Sequence, residues 1–144
     1  MEPINKKFLS FLIVLLLAMQ THLWAQTETP SETSDKLVIV WTSDDPYTAE
    51  RMVLMYGHAA KTAGWFTEVT LIIWGPSAKM VAENIKIQEK LKAMQNDGVE
   101  IRACIVCANM YEVTEDLKAL GFDVRGMGKP LTDYLKGGAK VLTF

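Results

Sequence analysis

The 144-residue chain has only two cysteines, Cys104 and Cys107, and only two histidines, His22 and His58. That scarcity argues against structural zinc, which takes four ligands in a closed site. There is no excess of charge: 15 basic against 17 acidic residues leave a formal −2. A basic footprint for nucleic acid is therefore missing, and no nucleic-acid partner is expected. The chain shows no internal repeat. Gly126-Met127-Gly128 is not a phosphate loop, because it lacks the G-x-x-x-x-G-K-[ST] pattern. The apolar run Phe8–Met19 (FLSFLIVLLLAM) would span only about 18 Å as helix, well short of a roughly 30 Å hydrocarbon core.

What is present at the N-terminus has the layout of a secretory signal peptide over residues 1–25. Lys6 and Lys7 precede the apolar run, and Gln20–Ala25 is more polar and ends in a small residue. No cysteine follows the run, so a lipoprotein is not expected. A membrane anchor reaching Trp24 would have to place Gln20, Thr21 and His22 in lipid. Cleavage after Ala25 removes Glu2, Lys6 and Lys7, a net +1, and takes the formal charge from −2 to −3. The mature protein is expected to be exported, periplasmic and free of the membrane. Thr27–Asp35 offers no core-forming residue, so residues 26–35 read as a disordered leader. The remainder is long enough for one domain with its own core, and 49% of the whole chain is apolar, a globular composition.

Lys36–Thr42 (KLVIVWT) is a continuous apolar run, as in a strand buried on both faces. In the break that follows, Asp45 suits a helix cap and Pro46 a first turn. Apolar residues then recur with helical spacing at Met52, Val53, Met55, Tyr56, Ala59, Ala60 and Ala63, and Gly64 closes the helix. Thr67–Trp74 is the second strand. Ser77 is placed to cap one long helix to Asn96, with Met80, Val81, Asn84, Ile85, Gln88, Leu91 and Met94 inward and its lysines mostly in water. Val99–Val106 is the third strand, followed by a helical turn through Tyr111. Thr114 caps a short helix that Gly121 ends. Phe122–Arg125 is the fourth strand, residues 126–130 a loop, residues 131–136 one or two helical turns, and Lys140–Phe144 the last strand.

Strands alternating with helices predict an α/β domain over residues 36–144, with a mostly parallel sheet and helices on both faces. Sites in such sheets lie beyond the carboxyl ends of the strands. The segments Ser43–Pro46, Gly75–Ser77, Cys104–Cys107 and Gly126–Pro130 therefore share one edge, and the glycine loop is free to approach the cysteines.

Cys104-x-x-Cys107 is the candidate site on that edge. A thiol between a buried strand and a helix start lies near N–H groups that favour thiolate. Four readings stay open: packing residues or a disulfide, a metal site to which only His58 could add, a redox pair, and a persulfide carrier. Thioredoxin-like pairs usually come early, after the first strand of their fold, whereas this one follows the third. His58 reads as a partly buried helix residue, Asp45 as a cap, and Trp41, Trp65 and Trp74 as packing. No cofactor and no metal is expected.

The order and spacing of these features resemble the DsrE/DsrF-like (DsrE/DsrF/TusD) sulfur-relay family. The carriers are the opening strand with Asp44-Asp45-Pro46, the helix ending Lys61-Thr62-Ala63-Gly64, and Cys104–Val113. Gly126-Met127-Gly128 and Lys140–Phe144 add to them. The resemblance implies a three-layer α/β/α domain with a five-stranded, mainly parallel sheet. It implies that Cys104 holds sulfane sulfur as a persulfide, in a sulfurtransferase-like relay, and that Cys107 matches a second cysteine of some members. Partners implied are sulfur donor and acceptor proteins or small thiols, and a homo-oligomer. Two features depart from the family. Glu112 stands where a glycine is usual, and the signal peptide takes the protein away from the cytosol, where such relays work.

Overall fold

Continuous apolar runs become the middle of a sheet. The computed structural model describes residues 35–144; the signal peptide and all of the leader but Asp35 lie outside the described residues. Strands β1 (Lys36–Trp41) and β2 (Glu68–Ile73) are each buried at every position except the first. They are joined through α1 (Pro46–Thr48), a π-helical stretch π1 (Ala49–Leu54) and α2 (Met55–Thr62). Next come α3 (Ser77–Glu83), α4 (Ile85–Asn96) and β3 (Glu100–Cys104). The chain continues through α5 (Ile105–Met110), α6 (Thr114–Ala119), β4 (Asp123–Arg125), α7 (Gly128–Lys136) and β5 (Lys140–Thr143). The strands pair in the order β4-β3-β2-β1-β5, every pair parallel. All carboxyl ends thus lie on one edge, as predicted.

Side chains alternate between the two faces of a strand, and here the faces are unequally covered. Leu37, Ile39, Trp41, Leu71, Ile73, Ile101 and Ala103 enter a large core shared with helical residues from Ala49 in π1 to Leu117 in α6. Val38, Val40, Ile72 and Cys104 enter a small one, where Met127, just before α7, the half-buried Leu131 and Tyr134 of α7 and Cys107 at the start of α5 supply the cover. Helices therefore lie on both faces, but one face has little more than a single helix. The far edge of the sheet is tied in at Phe144, whose N–H donates to the Val40 carbonyl (3.0 Å) and whose carbonyl accepts from Thr42 N–H (2.7 Å).

Several local expectations are corrected. The long helix from Ser77 to Asn96 is two helices, because Asn84 is extended (φ −121°, ψ 101°) and its side chain accepts from Ile87 N–H (3.2 Å), capping α4. Ser77 is the first residue of α3 rather than its cap; its buried hydroxyl donates to the Trp41 carbonyl (2.6 Å), tying the helix start to the sheet. Thr114 likewise lies inside α6 and donates to Asn109 Oδ1 (2.6 Å). Ile105 and Val106 are helical, so β3 stops at Cys104, and α7 begins within the expected loop, at Gly128. Asp35, assigned to the leader, accepts from Thr67 N–H (3.2 Å) and adjoins the sheet. Asp45 caps α1 as expected, accepting from Thr48 N–H at 2.7 Å.

Candidate thiol site

Cys104 ends β3 and occupies the residue position just before α5, with extended backbone (φ −76°, ψ 113°). Its partner three residues on is brought back over it by the first turn of that helix. Both are free thiols; Cys104 is 3% exposed, whereas Cys107 is half-buried. The Cys107 side chain packs on the cluster that buries Cys104, and the Gly75 backbone, from the turn after β2, lies close enough to act on its thiol. The backbone there is left-handed (φ +70°), which a glycine tolerates. Around the pair lie Val40, Ile72, Met127, Trp74 and Leu131, an apolar surround.

That surround decides the thiol chemistry. The Cys107 pKa is raised from its ordinary 9.0, first by burial and then by Cys104, although the Gly75 N–H acts in the opposite sense. The expectation that helix N–H groups would favour thiolate is therefore not met at Cys107. Helix α5 is only six residues long, so its dipole is short, and desolvation of the charged form outweighs it. The predicted approach of the glycine loop also takes a different form. Met127, between the two glycines, is fully buried beside Cys104, and the backbone group that acts on the Cys107 thiol belongs to Gly75.

The other candidates lie elsewhere. His58 sits on α2 with Nε2 2.6 Å from Asp97 and Nδ1 2.6 Å from Lys90 Nζ. Asp97 precedes β3 and so belongs to the edge opposite the cysteines. Trp41 is fully buried, and Trp65, 56% exposed, lies tilted against Tyr56 with ring centroids 5.9 Å apart. Among the described residues no group of three His, Cys, Asp or Glu side chains is arranged to hold a metal, and no helix is long and apolar enough to cross a membrane.

Sequence reasoning missed a second polar group on the face of the sheet that carries Cys104. Arg102, two residues earlier on that face, donates from Nη2 to Glu100 (2.6 Å) and lies over the Tyr134 ring at 5.7 Å. Arg125 pairs across the sheet with Cys104 in register and donates from Nε to both oxygens of Asp123 (2.8 and 2.7 Å). Asp123 and Glu68 in turn hold Arg125 and Lys36 more firmly in their charged forms. With Lys36, Pro130, Asp133 and Tyr134, the two arginines line a cavity of about 390 Å³ beneath α7. The available signal was an arginine inside the strand Glu100-Ile101-Arg102-Ala103-Cys104, whose neighbours are apolar.

The comparisons with known proteins agree with this architecture. The model of the family described as DsrE/DsrF-like matches residues 35–144. No curated protein matches the chain. Among solved structures, a conserved protein of unknown function from Bacteroides thetaiotaomicron is 40% identical, with a TM-score of 0.74. The match covers 76% of this chain and 95% of that one.

Proposed function

Because the chain belongs to the DsrE/DsrF-like family, we propose that it is a sulfur carrier that holds sulfane sulfur as a persulfide on Cys104. Family membership supports a sulfur-relay-related role. The observation carrying the finer reading is the contact between the chain's only two thiols on the carboxyl edge of the sheet. Cys104 thiolate attacks the outer sulfur of a donor R–S–SH, forming Cys104–S–SH and releasing R–S⁻. An acceptor thiolate takes the terminal sulfur by the same exchange and restores the Cys104 thiolate. Where no acceptor arrives, Cys107 thiolate attacks the inner sulfur, giving the Cys104–Cys107 disulfide and HS⁻.

The signal-peptide layout of residues 1–25 supports placing this chemistry in the periplasm, with donor and acceptor proteins or small thiols as partners and with self-association into a homo-oligomer. Intact-mass measurement of the reduced protein after inorganic polysulfide tests the assignment. One added sulfur, about 32 Da, is expected on Cys107→Ser and none on Cys104→Ser, while the wild type, in which Cys107 resolves the persulfide, is expected to end as the Cys104–Cys107 disulfide. An adduct that survives Cys104→Ser would overturn it.

The same thiol contact also favours a second reading, a reversible dithiol–disulfide pair. Export favours it further, since disulfides persist outside the cytosol. A pair that exchanges with glutathione disulfide while Cys107→Ser never retains an extra sulfur would select that reading over the carrier.

A further inference from the structure

The cavity beneath α7 has a charge pattern that neither the carrier chemistry nor the fold requires. Its wall carries three cations, Lys36, Arg102 and Arg125, against one acid, Asp133. Asp133 is already engaged by Lys129 at 2.6 Å. The carboxylates that partner the three cations, Glu68, Glu100 and Asp123, do not line the cavity. The cations thus meet acids that stand outside the cavity wall. Arg102 has donors to spare: its Nε is buried without a hydrogen-bond partner, 3.7 Å from the nearest Asp123 oxygen. A buried donor left unpaired costs free energy that a ligand oxygen would recover. Two guanidinium groups lining one cavity are a recognition element for a planar or tetrahedral oxyanion. Tyr134 adds a hydroxyl, 3.3 Å from Thr70 Oγ1, and its ring backs Arg102.

Cys104 does not itself line the cavity, but the two arginines are its neighbours on the sheet. Arg125 is the registered neighbour of Cys104 on the adjacent strand, about 4.8 Å away in backbone spacing. Arg102 precedes Cys104 by two residues on the same face. We propose that the cavity between α7 and strands β3 and β4 binds a small oxyanion on Arg102 and Arg125, and that the sulfur donor for Cys104 is such an oxyanion bearing a sulfane sulfur, thiosulfate being the simplest. The donor assignment rests on the reading that Cys104 carries the persulfide. In the step, Cys104 thiolate bonds to the outer sulfur of thiosulfate while the S–S bond breaks and sulfite leaves with its electron pair. Cys104–S–S⁻ remains, and the total charge is unchanged. The arginines hold the departing oxyanion, where negative charge accumulates on the leaving group.

Sulfate lacks a sulfane sulfur and so tests the cavity separately from the transfer. Calorimetric titration of sulfate into the reduced protein, with chloride at equal ionic strength as reference, is expected to show saturable binding. Arg125→Gln should weaken it about tenfold, the size of a charged hydrogen bond. Arg125 is 56% exposed at its side chain, so this variant is expected to fold, which its circular dichroism would check. In Cys107→Ser, where the persulfide is not resolved, thiosulfate should place one sulfur on Cys104, and sulfate should slow that labelling about fivefold or more at saturation, while leaving labelling by oxygen-free polysulfide unchanged. Sulfate binding no stronger than chloride, or untouched by Arg125→Gln, overturns the cavity assignment. Labelling by polysulfide but not by thiosulfate overturns the donor while the carrier stands. Labelling by neither overturns the carrier reading itself.

Discussion

Glu112, between α5 and α6, is left-handed (φ +58°), the one non-glycine residue with positive φ among those described. An L side chain there crowds its own following carbonyl, at a cost of about 1 kcal/mol or somewhat more. Glu112→Gly should therefore raise stability by about 1 kcal/mol, seen as a higher urea midpoint with an unchanged slope. Cys107 makes a second residue-level prediction. Its raised pKa means the folded state keeps the thiol proton to higher pH than the unfolded chain. Stability from this group is full below the ordinary 9.0 and is lost as pH rises through the higher folded value. Peptide-resolved iodoacetamide labelling of Cys107 should be slow at neutral pH and turn upward above pH 9.0; a midpoint below that value would contradict the dominance of burial. At this scale the sequence was partly legible. Glu112 was legible only through the family resemblance, which implies a glycine at that position; its left-handed backbone then follows from the same requirement. The protonation of Cys107 was not legible, because it depends on Gly75, Met127 and Trp74, which are far from it in sequence.

Strands and helix starts were readable because their signals are also local. Apolar runs gave β1 and β2, and Asp45-Pro46 gave the start of α1. The break between α3 and α4 was hidden because Asn84 falls on the inward stripe of a continuous helical pattern, so periodicity alone runs straight through it. The π-helical stretch Ala49–Leu54 was hidden for a related reason: its wider turn shifts the apolar stripe by less than the spread of a helical face. Asn84 is nevertheless a specific device, since its side chain and the Gln88 amide satisfy groups that the break exposes. Gln88 Nε2 donates to the Val81 and Ala82 carbonyls, both at 2.9 Å. Asn84→Ala should remove the cap on Ile87 N–H and cost about 1 kcal/mol, measured by urea unfolding. It should leave sulfur labelling of Cys104 unchanged, because the break packs on the face of the sheet opposite that thiol.

For the whole molecule, what matters is the unequal covering of the sheet. The large core has helical residues from Ala49 to Leu117, whereas the small one depends on Met127 and on α7, which has no fully buried residue. The five-stranded parallel layout followed from the alternation of elements, but this asymmetry did not, because the number of helices on each face depends on crossover geometry that no local pattern encodes. Segments with few buried apolar contacts open at low free energy, so α7 is expected to exchange its amides faster than α4, where Ile87, Leu91 and Met94 are buried. The consequence reaches the site, since Leu131 of α7 packs on the cluster that buries Cys104. Leu131→Ala removes part of that cover and should destabilise the protein by about 1–2 kcal/mol, less than a fully buried leucine would, because Leu131 is only half-buried. It should also speed hydrogen exchange across Gly128–Lys136 and the alkylation of Cys104 by the same factor, because one opening governs both. If exchange accelerates while Cys104 alkylation does not, the thiol is reached from the Cys107 side, and α7 does not control access to it.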